Sequence, residues 1–219
     1  MLIHPFFISE NMDIQKFEVG PFLENTYLLT QNNEHLLIDP GFSSESEFQQ
    51  LKKSLSGELK AIVLTHAHVD HVMGLSRTLR DFDIPVYLSD ADRYLWNNFG
   101  SQAQMFGLSQ GGFDFEPEVL PKKGTFEIGN FQFECLYTPG HSPDHISLYF
   151  EDEKLVIAGD ALFKESIGRT DLYKGDFSVL EQSIKEKLYT LPEETTVYPG
   201  HGPSTTIGHE KSSNGFVKA

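Results

Sequence analysis

The residues best suited to chemistry lie in the segment 65–71, which reads Thr-His-Ala-His-Val-Asp-His and follows a short apolar run. In an extended backbone, His66, His68 and Asp70 project to the same side because they are two positions apart. His71 departs from that spacing, which fits a chain that turns into a helix at this point. The segment is therefore predicted to serve two neighbouring metal positions.

Three further candidate ligands follow predicted strands: His141 in TPGHSPDH, Asp160 in AGDALF and His201 in YPGHGP. Each stands in or beside a glycine-containing turn, where the chain leaves a sheet. Taken alone, each is also compatible with an ordinary loop position. Together with the segment 65–71 they predict a metal site. Imidazole and carboxylate donors without thiolate suit zinc, iron or manganese, and zinc is the default for hydrolysis.

The rest of the chain predicts an α+β fold that positions these ligands. Alternating or continuous apolar runs predict strands, and apolar residues at helical spacing predict helices. The predicted strands are 13–20, 25–30, 35–38, 61–64, 85–88, 125–128, 131–137, 146–150, 155–158 and 196–198, and the predicted helices are 43–55, 69–82, 90–97 and 178–189. Residues 99–117 predict a long loop or broken helix at the active site. Two strand meanders, each covered by helices on one face, predict a four-layer αββα sandwich.

Length and composition predict one domain over 1–219, with a polar tail that frays from about residue 210 unless Phe216 and Val217 dock. No apolar run approaches the ~20 residues of a membrane helix, and the N-terminal segment 1–10 lacks the features of a signal peptide. Cys135 is the single cysteine. It is expected to be a buried core thiol and is compatible with a reducing cytoplasm. The net charge of −15 disfavours nucleic acid as a partner. A small-molecule substrate is expected, and the oligomeric state stays open.

These motifs resemble those of the metallo-β-lactamase superfamily, whose His-x-His-x-Asp-His signature is matched at 66–71. The Asp39-Pro-Gly41 turn, TPGH, GD and the late GH follow in the family's order over nearly the whole chain. Within the superfamily, the chain is most similar to the short glyoxalase II-like group, the hydroxyacylglutathione hydrolases and their relatives. Ile167-Gly-Arg-Thr-Asp171 and the stretch 200–210 carry that narrower resemblance. The resemblance implies the αββα fold, in agreement with the predicted layers.

The resemblance also implies roles for the candidate residues. One ion would be held by His66, His68 and His141, a second by Asp70, His71 and His201, and Asp160 would bridge the two. A metal-bridging hydroxide would then attack a small thioester of the hydroxyacyl-glutathione type or a related ester, and Asp70 could also transfer a proton. Asp39 is expected to orient ligand imidazoles, or else only to cap a turn. Arg169 is expected to hold the anionic part of the substrate, or else to pair with Asp171 or another acid.

Full-length glyoxalase II enzymes carry a C-terminal helical extension that supplies much of the glutathione-binding surface. Because 18 residues follow His201 here, glutathione specificity does not follow from the resemblance.

Two alternatives to the hydrolase remain open. One is a mononuclear iron persulfide dioxygenase, in which only His66, His141 and Asp160 would bind iron. The other is a non-catalytic metal-binding module. The Gly-His-Gly-Pro ending favours the hydrolase, and a β-lactamase is disfavoured by a poor match around 160–171. Of the remaining histidines, His145 is expected to be structural. The others are expected at the surface: His4, His35 and His209.

Overall fold

The computed structural model describes residues 12–219. The expectations for the N-terminal segment 1–10, including His4, lie outside the described residues. Within 12–219, no helix is both long enough and apolar enough to cross a membrane.

The first half of the chain forms a six-stranded sheet with helices on one face. Its strands are adjacent in chain order, antiparallel from the first to the third and parallel from the third to the sixth. The strands are β1 Asp13–Val19, β2 Glu24–Gln31, β3 Glu34–Ile38, β4 Glu58–Val63, β5 Val86–Ser89 and β6 Glu118–Leu120. The helices are α1 Glu45–Ser54, α2 Val69–Val72, α3 Leu75–Asp81, α4 Tyr94–Asn97 and α5 Phe99–Met105.

The second half forms a second six-stranded sheet and a small hairpin. Its strands are β7 Lys123–Ile128, β8 Phe131–Tyr137, β9 Ile146–Phe150, β10 Leu155–Gly159, β13 Thr196–Pro199 and β14 Thr205–Thr206, while β11 Leu162–Phe163 and β12 Ser166–Ile167 form the hairpin. The spatial order of the sheet is β14-β13-β10-β9-β8-β7. Helix α6 (Phe177–Ser183) continues as a π-helical segment over Ile184–Leu188, and α7 covers Ile207–Ser213.

Alternation along the strands sends neighbouring side chains into different cores. In β2, Leu28 packs with the outer-helix residue Phe48, whereas Leu29 packs between the two sheets. In β10, Ile157 faces that same inter-sheet core, whereas Val156 packs against the helices of the second half. Three buried cores therefore separate four layers, and the predicted αββα sandwich is confirmed.

The helix predicted over 69–82 is interrupted, which corrects that expectation. The backbone N–H of Gly74 donates to Pro40 O at 2.7 Å, and a Cβ at position 74 would lie 2.7 Å from Phe42 Cε2. At position 74, between α2 and α3, the chain therefore approaches the Asp39-Pro-Gly41 turn so closely that only glycine fits there.

The prediction of a fraying polar tail from about residue 210 is wrong. Thr206 Oγ1 caps α7 by accepting from the backbone N–H of His209 at 3.2 Å. Glu210 is fully buried and accepts from Thr205 Oγ1 at 2.7 Å and from the N–H of Glu165 at 2.9 Å. Val217 is buried as well. A carboxylate with its donors in place thus anchors the last helix.

The surface position expected for His35 is also wrong, because its side chain is fully buried. His35 Nε2 accepts from the backbone N–H groups of Ser56 at 3.0 Å and Gly57 at 2.9 Å, and Nδ1 lies 2.9 Å from Thr30 Oγ1. An imidazole that accepts at Nε2 must be unprotonated there, and burial lowers the pKa of His35 below its ordinary value of 6.5. His209, in contrast, is partly exposed as expected.

This arrangement predicts a pH-dependent loss of stability. As the pH falls below about 6.5, the unfolded state binds a proton at His35 that the folded state excludes, so the free energy of unfolding decreases. We expect the Tm to fall between pH 7.5 and 5.5, and to fall less in His35→Gln. Equal slopes in the two proteins, measured by calorimetry in matched buffers, would contradict this assignment.

Candidate metal centre

The loops after β4, β8, β10 and β13 meet at one place and bring together all seven predicted ligands. Backbone contacts hold these loops: the N–H of Ile146 donates to Thr65 O at 2.8 Å, and the N–H of Gly200 donates to Gly159 O at 2.8 Å. The candidate ligands fall into two groups whose donor atoms lie close enough for one ion each, His66, His68 and His141 in the first and Asp70, His71 and His201 in the second.

Three ring nitrogens converge in the first group. His66 Nε2 and His68 Nδ1 are 3.0 Å apart, His68 Nδ1 and His141 Nε2 are 2.8 Å apart, and His141 Nε2 and His66 Nε2 are 3.2 Å apart. A hydrogen bond between ring nitrogens needs one protonated and one bare nitrogen. In a triangle at least one pair must therefore be alike, so no arrangement of protons satisfies all three contacts.

Neighbouring groups decide which nitrogens are bare. Thr65 Oγ1 donates its proton to Asp39 Oδ2 at 2.6 Å, so it accepts from His66 Nδ1–H at 3.0 Å. His141 Nδ1–H donates to the backbone carbonyl of Arg169 at 2.8 Å. The Nε2 lone pairs of His66 and His141 consequently face each other. A shared cation is what turns this repulsion into attraction, and the three nitrogens fit such an ion.

The second group is acidic, and Asp160 lies between the two groups. His201 Nε2 is 3.2 Å from Asp70 Oδ2, and His71 Nε2 is 3.4 Å from Asp160 Oδ1. The other oxygen of Asp160 lies 3.5 Å from His141 Nε2 and 3.6 Å from His201 Nε2. Within the described residues, His71 Nε2 and Asp160 Oδ1 are buried without a hydrogen-bond partner. These clusters suit a site for two metal ions.

The pKa shifts match this division of charge. Burial and the neighbouring histidines lower the pKa of His66 well below its usual value and that of His68 to about 3, so both rings are neutral at pH 7. Burial alone would lower the pKa of His71 as well, but the charges of Asp160, Asp70 and Asp39 raise it overall. The second group therefore attracts positive charge, whether that charge is a proton or a metal ion.

Asp39 contacts one candidate ligand directly, as the resemblance implied. Its Oδ2 lies 3.0 Å from His71 Nδ1, and its Oδ1 accepts from the backbone N–H of Thr65 at 2.7 Å. Its backbone has a φ of +47°, a conformation that non-glycine residues rarely adopt. Asp39 thus fixes the ring of His71 and, through Thr65, the ring of His66.

Several residues support the candidate ligands, and of these only His145 has a role predicted from the sequence. His145 Nε2 accepts from the backbone N–H of Asp160 at 3.0 Å, which agrees with its expected structural role. Asp144 is fully buried and accepts from the N–H of Ala67 at 3.0 Å and from Ser142 Oγ at 2.7 Å, so it ties two ligand loops together. Burial raises the pKa of Asp144 to about 6. Gly200 leaves room for Asp160 and His71, because a Cβ there would overlap both. Only contacts distant in sequence reveal the other roles.

A cavity of about 590 Å³ opens over the two groups, a size that suits a small molecule. His68, Asp70, His141, Asp160 and His201 all contribute to its lining. The segment predicted as a long loop or broken helix at 99–117 begins with α5, and residues in and after that helix line the cavity. The active-site position expected for this segment therefore agrees with the structure.

Arg169 also lines the cavity, but its guanidinium is engaged. Its Nε and Nη2 donate to the two carboxylate oxygens of Asp171 at 2.7 and 2.8 Å. The structure thus places Arg169 where a substrate anchor was expected and also gives it the ion pair that was the alternative.

Comparison with known proteins identifies the family. The family model of the metallo-β-lactamase superfamily matches residues 19–201. The chain is 39% identical to the probable metallo-hydrolase YqgX of Bacillus subtilis over 94% of this chain and 98% of that protein. It is 36% identical to the hydroxyacylglutathione hydrolase GloC of Haemophilus influenzae over 95% and 99%.

Two solved structures are similarly close. BLEG-1, described as a B3 metallo-β-lactamase, has a TM-score of 0.87 at 36% identity and covers 94% of this chain and 100% of its own. TTHA1623, solved in a di-iron-bound form, has a TM-score of 0.84 at 36% identity and covers 93% and 100%. The chain therefore belongs to the metallo-β-lactamase superfamily.

Proposed function

We propose that this protein is a dinuclear metal-dependent hydrolase that cleaves a small thioester, of the hydroxyacyl-glutathione type or a related thiol conjugate, or a related ester. The observation that carries the proposal is the position of Asp160 between two ligand groups at one cavity. A mononuclear iron site would leave Asp70, His71 and His201 without a purpose, although their donor atoms also lie within 4.8 Å of one another. The similarity to GloC supports a thioester as the bond that is cleaved.

The donor atoms support two divalent ions, the first facing three imidazoles and the second facing Asp70, His71 and His201, with Asp160 shared. We propose zinc as the native metal, and iron or manganese would fit the same donors. Cys135 is buried in the inter-sheet core, and burial raises the pKa of its thiol to about 12. It is therefore no nucleophile and no ligand, and its lone thiol is compatible with the cytoplasmic location that we propose.

Bound divalent ions would supply Lewis acidity and lower the pKa of a coordinated water into the neutral range. The protein's own residues would position the metal ligands. Asp39 and the carbonyl of Arg169 hold imidazole rings in orientation, and Asp160 holds the two ligand groups together. Asp70 lines the cavity, and its Oδ2 lies 3.2 Å from His201 Nε2. It is the carboxylate proposed to take up a proton and return it to the leaving thiolate.

Metal analysis combined with a substrate panel tests the proposal. Protein purified without chelators is expected to contain two divalent ions per chain by elemental analysis. It should hydrolyse thioesters, lose that activity with a chelator and regain it with zinc. Two bound ions without turnover of thioesters, lactones or esters would indicate a non-catalytic metal-binding module. One iron per chain with oxygen uptake on glutathione persulfide would indicate a dioxygenase. A chromogenic cephalosporin belongs in the panel because of the similarity to BLEG-1.

A further inference from the structure

The walls of the cavity are made mainly of apolar and aromatic side chains. They come from both halves of the chain, on α4 and α5 on one side and around the β11–β12 hairpin on the other. These wall residues are Phe22, Val69, Tyr94, Leu95, Met105, Phe106, Phe163, Ile167, Leu172 and Tyr173. The cavity therefore offers an apolar environment directly beside the candidate metal ligands.

Two amide side chains in the same wall donate to backbone carbonyls of the protein itself. Gln102 Nε2 donates to Leu95 O at 2.7 Å and to Ala67 O at 3.1 Å. Asn98 Nδ2 donates to Tyr94 O at 2.8 Å. These amides consequently stabilise the wall and do not leave those donors for a substrate carboxylate.

The arginine that lines the cavity and a lysine beside it are also engaged. Arg169 is the one lysine or arginine that lines the cavity within residues 12–219, and it forms the two-point ion pair with Asp171. Lys174, beside the cavity residue Tyr173, donates to Asp92 at 2.8 Å. A carboxylate placed against the apolar wall of this cavity, away from the candidate metal ligands, would lose water without gaining an unpaired lysine or arginine, which is costly. The net charge of −15 opposes its approach as well.

Aromatic contacts hold the cavity in shape. Tyr94 stacks on Tyr173 with ring centroids 3.9 Å apart and an interplanar angle of 18°, which joins the two walls. Phe22 packs edge to face against Phe106 at 5.2 Å on the other side. An apolar group would therefore enter a site that needs little rearrangement.

We infer that the cavity selects thioesters that carry an uncharged apolar group, aryl or short alkyl, over thioesters of glutathione with its two carboxylates. The inference rests on the proposed function and narrows its substrate class. The apolar group can belong to the acyl side or to the thiol side of the scissile bond, because the same apolar wall would contact it in either case.

Two thioesters with one acyl group test the selection. S-phenylacetyl-N-acetylcysteamine is neutral, whereas S-phenylacetylglutathione carries the two carboxylates of glutathione. We expect kcat/KM to be about tenfold higher or more for the neutral compound, because only it avoids burying carboxylates. S-benzyl thioacetate, compared with S-methyl thioacetate, shows whether an aryl group on the thiol side gives the same gain, because both leaving groups are alkyl thiols. Equal or higher kcat/KM for the glutathione thioester would overturn the inference and leave the hydrolase standing. No turnover of any compound by protein with two ions would overturn both.

A lysine placed at the cavity tests whether the lack of an unpaired basic side chain is the reason for the selection. Met105 lines the cavity and is 78% exposed, so Met105→Lys is expected to fold normally. It should raise kcat/KM for S-phenylacetylglutathione about threefold to tenfold and should not raise it for the neutral compound. Val119 lies on β6, is 53% exposed and is not part of the cavity lining, so Val119→Lys is the matched control. No gain in Met105→Lys, or the same gain in both variants, would contradict the inference.

Discussion

Replacing Asp160 with asparagine is expected to reduce the bound metal to one ion per chain or fewer. The two oxygens of Asp160 face His71 at 3.4 Å and His141 at 3.5 Å, so a neutral amide removes the charge shared by both ligand groups. The loss of kcat/KM should exceed the roughly 10- to 100-fold cost of removing a residue that only orients a ligand. Elemental analysis and steady-state hydrolysis of the preferred thioester measure the two effects.

The control for this variant is Asp152→Asn, which makes the same chemical change in an exposed turn. It is expected to keep two ions and full activity. Near-native circular dichroism of Asp160→Asn would show that the loss is local. If Asp160→Asn retained two ions per chain, Asp160 would not be the shared ligand and the proposed dinuclear site would need another bridge.

Replacing Gly200 with alanine should damage the same site without removing any ligand. The new Cβ would overlap Asp160 Oδ1 and lie 2.8 Å from His71 Cε1, both of which are fixed by their surroundings. We expect weaker binding of the second ion and a drop in kcat/KM of about tenfold or more. The free energy of unfolding should fall by about 1–3 kcal/mol, as is usual for overpacking. Metal titration and denaturant unfolding measure these effects separately.

Gly215→Ala is the control for this prediction. Within residues 12–219, and apart from its chain neighbours, no atom lies within 4 Å of the point that a Cβ would occupy at position 215. A methyl group there has room, so the control should match the parent protein in metal content, activity and stability. Unchanged metal affinity in Gly200→Ala would mean that Asp160 and His71 can move apart without loss, and that the site is less rigid than its contacts indicate.

The sequence singled out the seven candidate ligands that the structure brings together, because their residue types are rare in such density and recur in the family's order. It also predicted most of the strands in the two six-stranded sheets. The strand 131–137 is recognisable from local alternation, and the helix over 43–55 from apolar residues at helical spacing. The capping box between Ser44 and Glu47 is a finding of the structure. The strand and the helix depend on residues that are close in sequence, so local sequence patterns are enough to predict them.

Features that depend on distant neighbours were missed. The break in the predicted helix 69–82 is imposed by Pro40 and Phe42 across the turn, and the burial of His35 is imposed by Ser56 and Gly57. The final helix was read as a polar tail because Glu210 is polar in type, although its carboxylate is enclosed by donors. Two-residue strands such as β14 are too short for any periodicity.

The convergence of the ring nitrogens of His66, His68 and His141 has a consequence for the protein as a whole. His66 and His141 come from different halves of the chain and are 75 positions apart in sequence. An ion held by both therefore acts as a cross-link, comparable to a disulfide that closes a loop of this length, with a gain on the order of 4 kcal/mol by loop-closure entropy. Metal supply would thus set how much of the protein survives thermal unfolding and proteolysis, in addition to how fast it turns over substrate.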